Sequence, residues 1–121
     1  MAKSALVVDD SKALRKSVAL TMRHAGYDVV EGEDGQQALE RSEGRSFDLV
    51  ITDMNMPVMD GVTLIRKLRE RPNFKNTPIL MLTTESQNSK KQAASEAGVT
   101  GWVIKPFIPE HLLQVVSRLV R

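Results

Sequence analysis

Short strand-like runs alternate with longer amphipathic segments along the whole chain, and this alternation limits the possible folds more than any other feature of the sequence. Buried-strand patterns occur at residues 5–8, 28–31, 47–52, 78–82 and 102–104. Helical spacing of apolar residues predicts helices at about 12–25, 34–43, 62–68 and 87–97, and a last one from residue 109 onward. This alternation predicts an α/β fold in which a parallel sheet is covered on both faces. Right-handed crossovers leave few topologies, and we expect the flavodoxin-like doubly wound sandwich with strand order 2-1-3-4-5.

Local signals support the predicted helix ends. Ser11 can cap the first helix, and Gly26 and Gly44 can end the first and second helices. Pro109 fits the first turn of the last helix. We expect the helix at 87–97 to pack weakly, because its inner face has only small residues: Ala93, Ala94 and Ala97.

The size and composition indicate a single globular domain over residues 1–121. Hydrophobic residues make up 41% of the chain and charged residues 26%, as is ordinary for a soluble protein. The absence of cysteine excludes disulfides and Cys-based zinc sites. The first apolar run is too short for a signal peptide or a membrane span, so we expect a cytoplasmic monomer with no membrane partner.

The charge balance argues against nucleic acid as a partner. The net charge is +2, from 17 basic and 15 acidic residues. The densest basic stretch has no aromatic residues among its charges, and we interpret it as a solvated helix face: Arg66, Lys67, Arg69, Arg71 and Lys75. His24 and His111 lie on predicted helices away from the strand ends, and we expect both on the surface.

Polar residues follow four of the predicted strands. Asp9 and Asp10 follow the first, Asp53 the third, Thr83 the fourth and Lys105 the fifth. Since these strands are neighbours in the expected order, their side chains should meet at one edge of the sheet. Taken singly, Asp9-Asp10 is equally consistent with a helix N-cap pair, Thr83 with an ordinary strand end and Lys105 with a surface lysine. Their shared placement favours a functional site.

The chemistry of this set points to phosphoryl transfer. Converging carboxylates, ionised at neutral pH with a reference pKa of roughly 3.9, repel each other and need a cation. Oxygen ligands without His or Cys favour magnesium over zinc. A carboxylate needs no general base, so Asp53 can be the nucleophile, while Lys105 and the Thr83 hydroxyl can offset the charge of an incoming phosphoryl group.

Beyond these single residues, the sequence resembles the receiver domains of two-component response regulators over essentially its whole length. The resemblance is carried by four motifs: Val7-Val8-Asp9-Asp10-Ser11, residues 53–61 (Asp-Met-Asn-Met-Pro-Val-Met-Asp-Gly), Leu82-Thr83-Thr84 and Val103-Ile104-Lys105-Pro106-Phe107. Together these motifs are highly specific. With no output domain present, the chain is most similar to single-domain members of the family that act in chemotaxis.

The resemblance implies a role for each residue at the strand ends. Asp53 would be the phosphoacceptor, and Asp10 and Asp53 would ligate Mg²⁺ directly. Asn55 would ligate through its backbone carbonyl and Asp9 through water. Lys105, together with the threonine at the end of the fourth strand, would contact the phosphoryl group.

Further family features concern the partners and the lifetime of the phosphorylated state. The donor would be a phosphohistidine of a sensor histidine kinase that docks near the first helix. Asn55 and Glu85 occupy the positions that tune self-dephosphorylation, and they suggest a short-lived phosphorylated state. The Lys105-Pro106 peptide bond would be cis. The protein would thus accept and lose the phosphoryl group without being an enzyme in the ordinary sense.

Trp102 departs from the family pattern, because the switch position usually holds Tyr or Phe. Its indole is larger and offers an N–H donor but no acceptor hydroxyl. It either swings between exposed and buried states or simply caps the sheet. A downstream target, such as a flagellar motor or other motility apparatus, would bind the face of the fourth helix, fifth strand and fifth helix, where the fourth helix carries Lys90 and Lys91.

Three other interpretations remain open at this point. A metal-dependent phosphohydrolase would usually have a second acid two residues after the nucleophile, where this chain has Asn55. A receiver-like module that is never phosphorylated would typically have lost one of the acids or the lysine. The chain could also be a receiver domain excised from a larger regulator.

Overall fold

The computed structural model describes residues 2–84 and 88–120, except for the side chains of residues 88–90. The strands are β1 (Ser4–Val8), β2 (Asp28–Gly32), β3 (Leu49–Asp53), β4 (Ile79–Thr83) and β5 (Gly101–Ile104). The helices are α1 (Lys12–His24), α2 (Gly35–Ser42), α3 (Gly61–Arg69), α4 (Asn88–Ala97) and α5 (Pro109–Leu119). All strand pairs in the sheet are parallel, and the order β2-β1-β3-β4-β5 confirms the predicted topology.

The helix ends follow the predicted local signals. The Ser11 hydroxyl caps α1, and the Asp34 carboxylate caps α2. Gly26 and Gly44 have positive φ angles of 95° and 72°, which let the chain turn out of a helix at a conformation that residues with a Cβ rarely adopt. Pro109 is the first residue of α5.

Some boundaries differ from the sequence expectation. The third strand begins its pairing with β1 at Leu49 rather than at residue 47. Asp48, just before it, is joined to Ser4 by two hydrogen bonds, one of which uses the Asp48 side chain. Asp53 and Thr83, expected to follow the third and fourth strands, are the last residues of β3 and β4. The predicted helix start at Gln87 lies outside the described residues. Sequence periodicity does not predict the short 3-10 turn at Pro72–Phe74.

The helices divide between the two faces of the sheet. Buried residues of α1 and α5 pack on one face, and those of α2, α3 and α4 pack on the other. Among the described side chains of α4, only Ala94 and Ala97 are buried, which agrees with the weak inner face that its sequence predicts. None of the helices in the described part of the chain is long and apolar enough to cross a membrane.

The interpretation of the basic stretch in and after α3 as a solvated face is wrong for two of its members. Arg69 donates to the backbone carbonyls of four residues outside α3: Phe74, Lys75, Thr77 and Gly98, at 2.6, 3.3, 2.7 and 2.7 Å. Arg71 donates to a backbone carbonyl near the end of α2 at 3.1 Å. These carbonyls lie where no regular ladder satisfies them, so the arginines stabilise the loops. The other three basic residues are exposed, as are the two histidines.

Candidate functional site

The carboxyl ends of β1, β3 and β5 bring the predicted acids and the lysine together. Carboxylate oxygens of Asp9, Asp10 and Asp53 lie within 4.8 Å of one another. Asp9 and Asp53 are buried, at 1% and 6% exposure, while Asp10 is exposed. The parallel sheet thus places at one edge three acids that are up to 44 positions apart in sequence. The convergence expected from the strand order is present.

Lys105 makes the closest charged contact in this cluster. Its Nζ lies 2.6 Å from Asp53 Oδ1 and 3.8 Å from Asp9 Oδ2. Asp53 Oδ1 also accepts from the backbone N–H of Met54 at 2.9 Å. The Lys105 backbone N–H donates to the Thr83 carbonyl at 2.7 Å, and the Lys105-Pro106 bond is cis, as the resemblance implies. The lysine is therefore held at both its backbone and its ammonium.

Asp9 combines deep burial with a carboxylate oxygen that accepts no hydrogen bond. Its Oδ1 accepts from the Ser11 backbone N–H at 2.9 Å, whereas its buried Oδ2 has no hydrogen-bond partner. Burial, and then the charges of Asp53 and Asp10, raise the pKa of the Asp9 carboxyl to about 6, against the Ser11 hydrogen bond and the charge of Lys105. Since Ser11 caps α1, an N-cap role for Asp9-Asp10 is not what this structure shows.

The donor set fits a hard divalent cation. Three carboxylates converge, one contributes a buried oxygen without a hydrogen-bond partner, and no His or Cys belongs to the described cluster. A buried acceptor without a hydrogen bond lowers the stability of the folded state. A cation that prefers oxygen ligands would satisfy this oxygen. Asp10, Asp53 and Asp9 are therefore suited to hold Mg²⁺ rather than Zn²⁺.

The remaining predicted residues lie around this cluster. Thr83 is fully buried at the end of β4, and its hydroxyl lies 3.7 Å from Met54 Sδ and 3.3 Å from the Thr84 carbonyl. Asn55 is exposed in the loop after β3. Glu85, predicted to tune dephosphorylation, lies outside the described residues.

Trp102 is half-buried in β5 and packs beside the core cluster under α3 and α4. The register pairs Trp102 with Met81 and Ile104 with Thr83. Side chains two residues apart on a strand share a face, so Trp102 and Thr83 lie on the same side of the sheet. The Lys91 ammonium on α4 lies 5.8 Å from the centroid of the indole ring, within range of a cation–π contact.

Two residues that shape this site are given no individual role by the sequence patterns. Gly61 begins α3 so close to β3 that an added Cβ would lie 2.2 Å from the Asp53 carbonyl oxygen. Arg15 is buried on α1 and donates to the Asp9 carbonyl at 2.9 Å. Helical spacing places Arg15 on the buried face of α1 that Val18 and Met22 share, and a charge at such a position is the signal that could reveal it.

Comparison with known proteins is consistent with this geometry. Residues 5–117 match the family model of the response regulator receiver domain. The chain is 41% identical over 109 residues to chemotaxis protein CheY1 of Helicobacter pylori, covering 88% of each protein. It superposes on chemotaxis protein CheY4 of Vibrio cholerae with a TM-score of 0.94 and 43% identity, over 99% of this chain and 100% of that chain. For the receiver domain of sensor histidine kinase PA1611 of Pseudomonas aeruginosa, which has a magnesium ion coordinated in its active-site cleft, the TM-score is 0.89 at 27% identity, over 98% of each chain.

Proposed function

Because the chain belongs to the response regulator receiver domain family, we propose that residues 1–121 form a single-domain phosphorylation switch. Asp53 accepts a phosphoryl group from a phosphohistidine of a sensor histidine kinase, and the phosphorylated protein then binds a downstream target in chemotaxis or motility. The group is lost again by self-dephosphorylation, whose rate Asn55 and Glu85 set. The protein is thus a phosphoryl acceptor and not an enzyme with a separate substrate.

The transfer step uses the Asp53 carboxylate as the nucleophile. One carboxylate oxygen attacks phosphorus, the P–N bond of the phosphohistidine breaks, and its electron pair stays with the imidazole, which is protonated by water. The main obstacle is repulsion between the carboxylate and the phosphoryl oxygens. Lys105 offsets this repulsion by moving its ammonium contact from Asp53 to a phosphoryl oxygen, while the Thr83 hydroxyl donates to another.

Magnesium fits the acidic side of the same site. Asp10 and Asp53 would hold the ion directly, Asn55 through its backbone carbonyl and Asp9 through a water molecule. When bound, the ion neutralises the converging carboxylates and stabilises charge on the phosphoryl oxygens. The magnesium-bound PA1611 receiver domain supports this assignment.

One observation carries the proposal. The Lys105 ammonium lies 2.6 Å from Asp53 Oδ1, in a cluster where carboxylate oxygens of Asp9, Asp10 and Asp53 are within 4.8 Å of one another. A nucleophilic carboxylate, a cation-binding pair of acids and an ammonium beside them are what acceptance of a phosphoryl group by aspartate needs. A hydrolase would also need an acid to protonate its leaving group, and the residue two positions after Asp53 is Asn55.

The signal is read on the face formed by α4, β5 and α5. Phosphorylation adds roughly −1.5 to −2 charge, Thr83 moves toward the new group, and Trp102 repacks into the space released. Thr83 and Trp102 lie on the same side of the sheet, and this supports the proposed movement of Trp102 in response to Thr83. Lys91 of α4 places a positive charge 5.8 Å from the centroid of the indole ring.

The decisive experiment is phosphorylation with a small acyl-phosphate donor and Mg²⁺. We expect a hydroxylamine-labile phosphate on the wild-type protein, none on D53N, and none in EDTA. D34N is the matched control, because Asp34 caps α2 and the asparagine retains the cap. Unchanged labelling of D53N, or multiple turnover on a small phosphate ester, would contradict the proposal.

A further inference from the structure

We infer that Arg15 is a positioning residue for the magnesium site, because it holds the backbone of the turn that carries Asp9 and Asp10. The inference rests on the proposed function and adds to it a residue that does not touch the metal or the phosphoryl group. Arg15 would raise the affinity for Mg²⁺ without changing the transfer step itself.

Arg15 is buried where α1 otherwise presents apolar residues. Its side chain is 7% exposed, and it lies three residues before Val18 on the packed face of the helix. A guanidinium in such a place is costly unless its donors are bonded. The structure shows what those donors bind.

The first partner is the backbone of Asp9. Arg15 Nη1 donates to the Asp9 carbonyl oxygen at 2.9 Å in a buried setting, and the Asp9 N–H donates to the Gly32 carbonyl of β2 at 3.1 Å. The Asp9 carbonyl belongs to the planar peptide unit that leads into Asp10. Holding that oxygen therefore fixes the direction in which the chain enters Asp10, and with it the position of the Asp10 carboxylate.

The second partner anchors the guanidinium itself. Arg15 Nε donates to Glu31 Oε1 on β2 at 3.1 Å, and Lys16 and Arg23 donate to Glu31 Oε2 at 3.1 and 3.4 Å. Burial acts to raise the pKa of Glu31, but the hydrogen bonds from Lys16, Arg15 and Arg23 outweigh it and lower that pKa below its usual value. Glu31 therefore stays charged and holds the guanidinium in one orientation.

Arg15 therefore links β2, through Glu31, to the β1–α1 turn, through the Asp9 carbonyl, and we call this link the strut. The turn needs such support, because it must keep Asp9 and Asp10 within 4.8 Å of Asp53 although like charges repel. A site whose ligands are already held in the binding geometry loses less conformational freedom when it binds the metal. Lysine cannot replace this strut, because a single ammonium lacks the rigid fork that reaches the Asp9 carbonyl and Glu31 together.

The test measures Mg²⁺ affinity apart from transfer. We would measure the dissociation constant for Mg²⁺ by calorimetry for wild type, R15K and R15Q at constant ionic strength and neutral pH. We expect both variants to bind Mg²⁺ roughly tenfold more weakly, as when other residues that orient metal ligands are lost. At saturating Mg²⁺ the phosphorylation rate should return to within about twofold of wild type.

R71K is the matched control. Arg71 Nη2 also donates to a backbone carbonyl, that of Leu39, at 3.1 Å, but on α2 and outside the site. We expect R71K to lower the free energy of unfolding while leaving the Mg²⁺ dissociation constant unchanged. If R15Q is partly unfolded, R15K carries the test, with affinity taken from the rise of its unfolding midpoint with Mg²⁺.

The outcomes separate this inference from the proposed function. Wild-type affinity in R15K, or equal weakening in R71K, overturns the role of Arg15 and leaves the proposed function intact. A wild-type protein that neither binds Mg²⁺ nor is labelled on Asp53 overturns both. Weak Mg²⁺ binding in the Arg15 variants alone, with the rate restored at saturation, supports the strut.

Discussion

The Lys105 ammonium lies 2.6 Å from Oδ1 of Asp53, and this contact joins the ends of two strands that lie on either side of β4. The two residues are 52 positions apart in the chain. At this length the contact is a charge-assisted hydrogen bond, which is stronger than one between neutral groups. It holds the proposed nucleophile and the ammonium proposed to contact the phosphoryl oxygens in one place.

Removal of this ammonium should destabilise the metal-free protein. K105M leaves three carboxylates without their closest cation, and we expect it to lower the free energy of unfolding by about 2 kcal/mol. The measurement is urea unfolding in EDTA near neutral pH. The control is K16M, since the Lys16 side chain is 55% exposed and its ion pair with Glu31 contributes only about 0.5 kcal/mol. Equal losses in the two variants would show that the Asp53 contact is no stronger than a surface pair.

The raised pKa of Asp9, about 6 against an ordinary 3.8, makes metal-free stability depend on pH. The folded chain binds the carboxyl proton of Asp9 more tightly than the unfolded chain does. The contribution of Asp9 to stability is therefore greatest below about pH 4, and it is lost as pH rises to about 6. At neutral pH the Asp9 carboxylate therefore costs on the order of 2–3 kcal/mol.

The comparison of wild type with D9N isolates this contribution from those of other acids. We expect D9N to gain stability relative to wild type as pH rises from about 4.5 to 7.5, in urea unfolding with EDTA. A constant difference between D9N and wild type over this pH range would contradict the expected burial effect.

The close approach of α3 to β3 makes Gly61 intolerant of a side chain. In G61A the added Cβ would meet the Asp53 carbonyl oxygen at 2.2 Å and Met81 Cε at 2.9 Å. We expect a loss of about 3 kcal/mol and slower labelling of Asp53, measured by urea unfolding and acyl-phosphate incorporation. G44A has open space around its Cβ but a φ of +72°, so it should cost only about 1 kcal/mol of strain and leave labelling unchanged.

Val58 adopts a strained backbone in the loop that follows β3. Its φ is +68°, which is unfavourable for a β-branched residue, and its side chain is 80% exposed. V58N should therefore raise the free energy of unfolding by about 1 kcal/mol, since little packing is lost. V58T keeps the branched Cβ and should match wild type in the same urea experiment. A destabilised V58N would mean that the exposed valine makes a stabilising contact.

The single tryptophan should report phosphorylation. We expect the fluorescence of Trp102 to change when Mg²⁺ and beryllium fluoride, a mimic of the phosphoryl group, are added, and the change should be absent in D53N. K91M, which removes the cation 5.8 Å from the ring centroid, should alter the emission before the addition. Unchanged fluorescence in the wild type would contradict the switching role of Trp102 and indicate that it only caps the sheet.

Much of the fold and site could be predicted because their signals are local. Each strand is a short run, three of the five helices have a recognisable start or end, and parallel strands bring their carboxyl ends to one edge. Asp9, Asp10, Asp53 and Lys105 lie together as that reasoning requires. The prediction that Arg69 lies on a solvated face is wrong, because its carbonyl partners lie up to 29 residues away in irregular segments that no periodicity describes.

The sequence by itself determined the order of the strands and the kinds of group at their ends, because these depend on hydrophobic pattern and residue identity. Only the tertiary structure decided that Lys105 contacts Oδ1 of Asp53, that one oxygen of Asp9 is buried without a hydrogen-bond partner, and that Arg15 supports the turn beside it. These relationships depend on packing. Burial decides which charges need partners, and distant backbone carbonyls supply them only after the chain has folded.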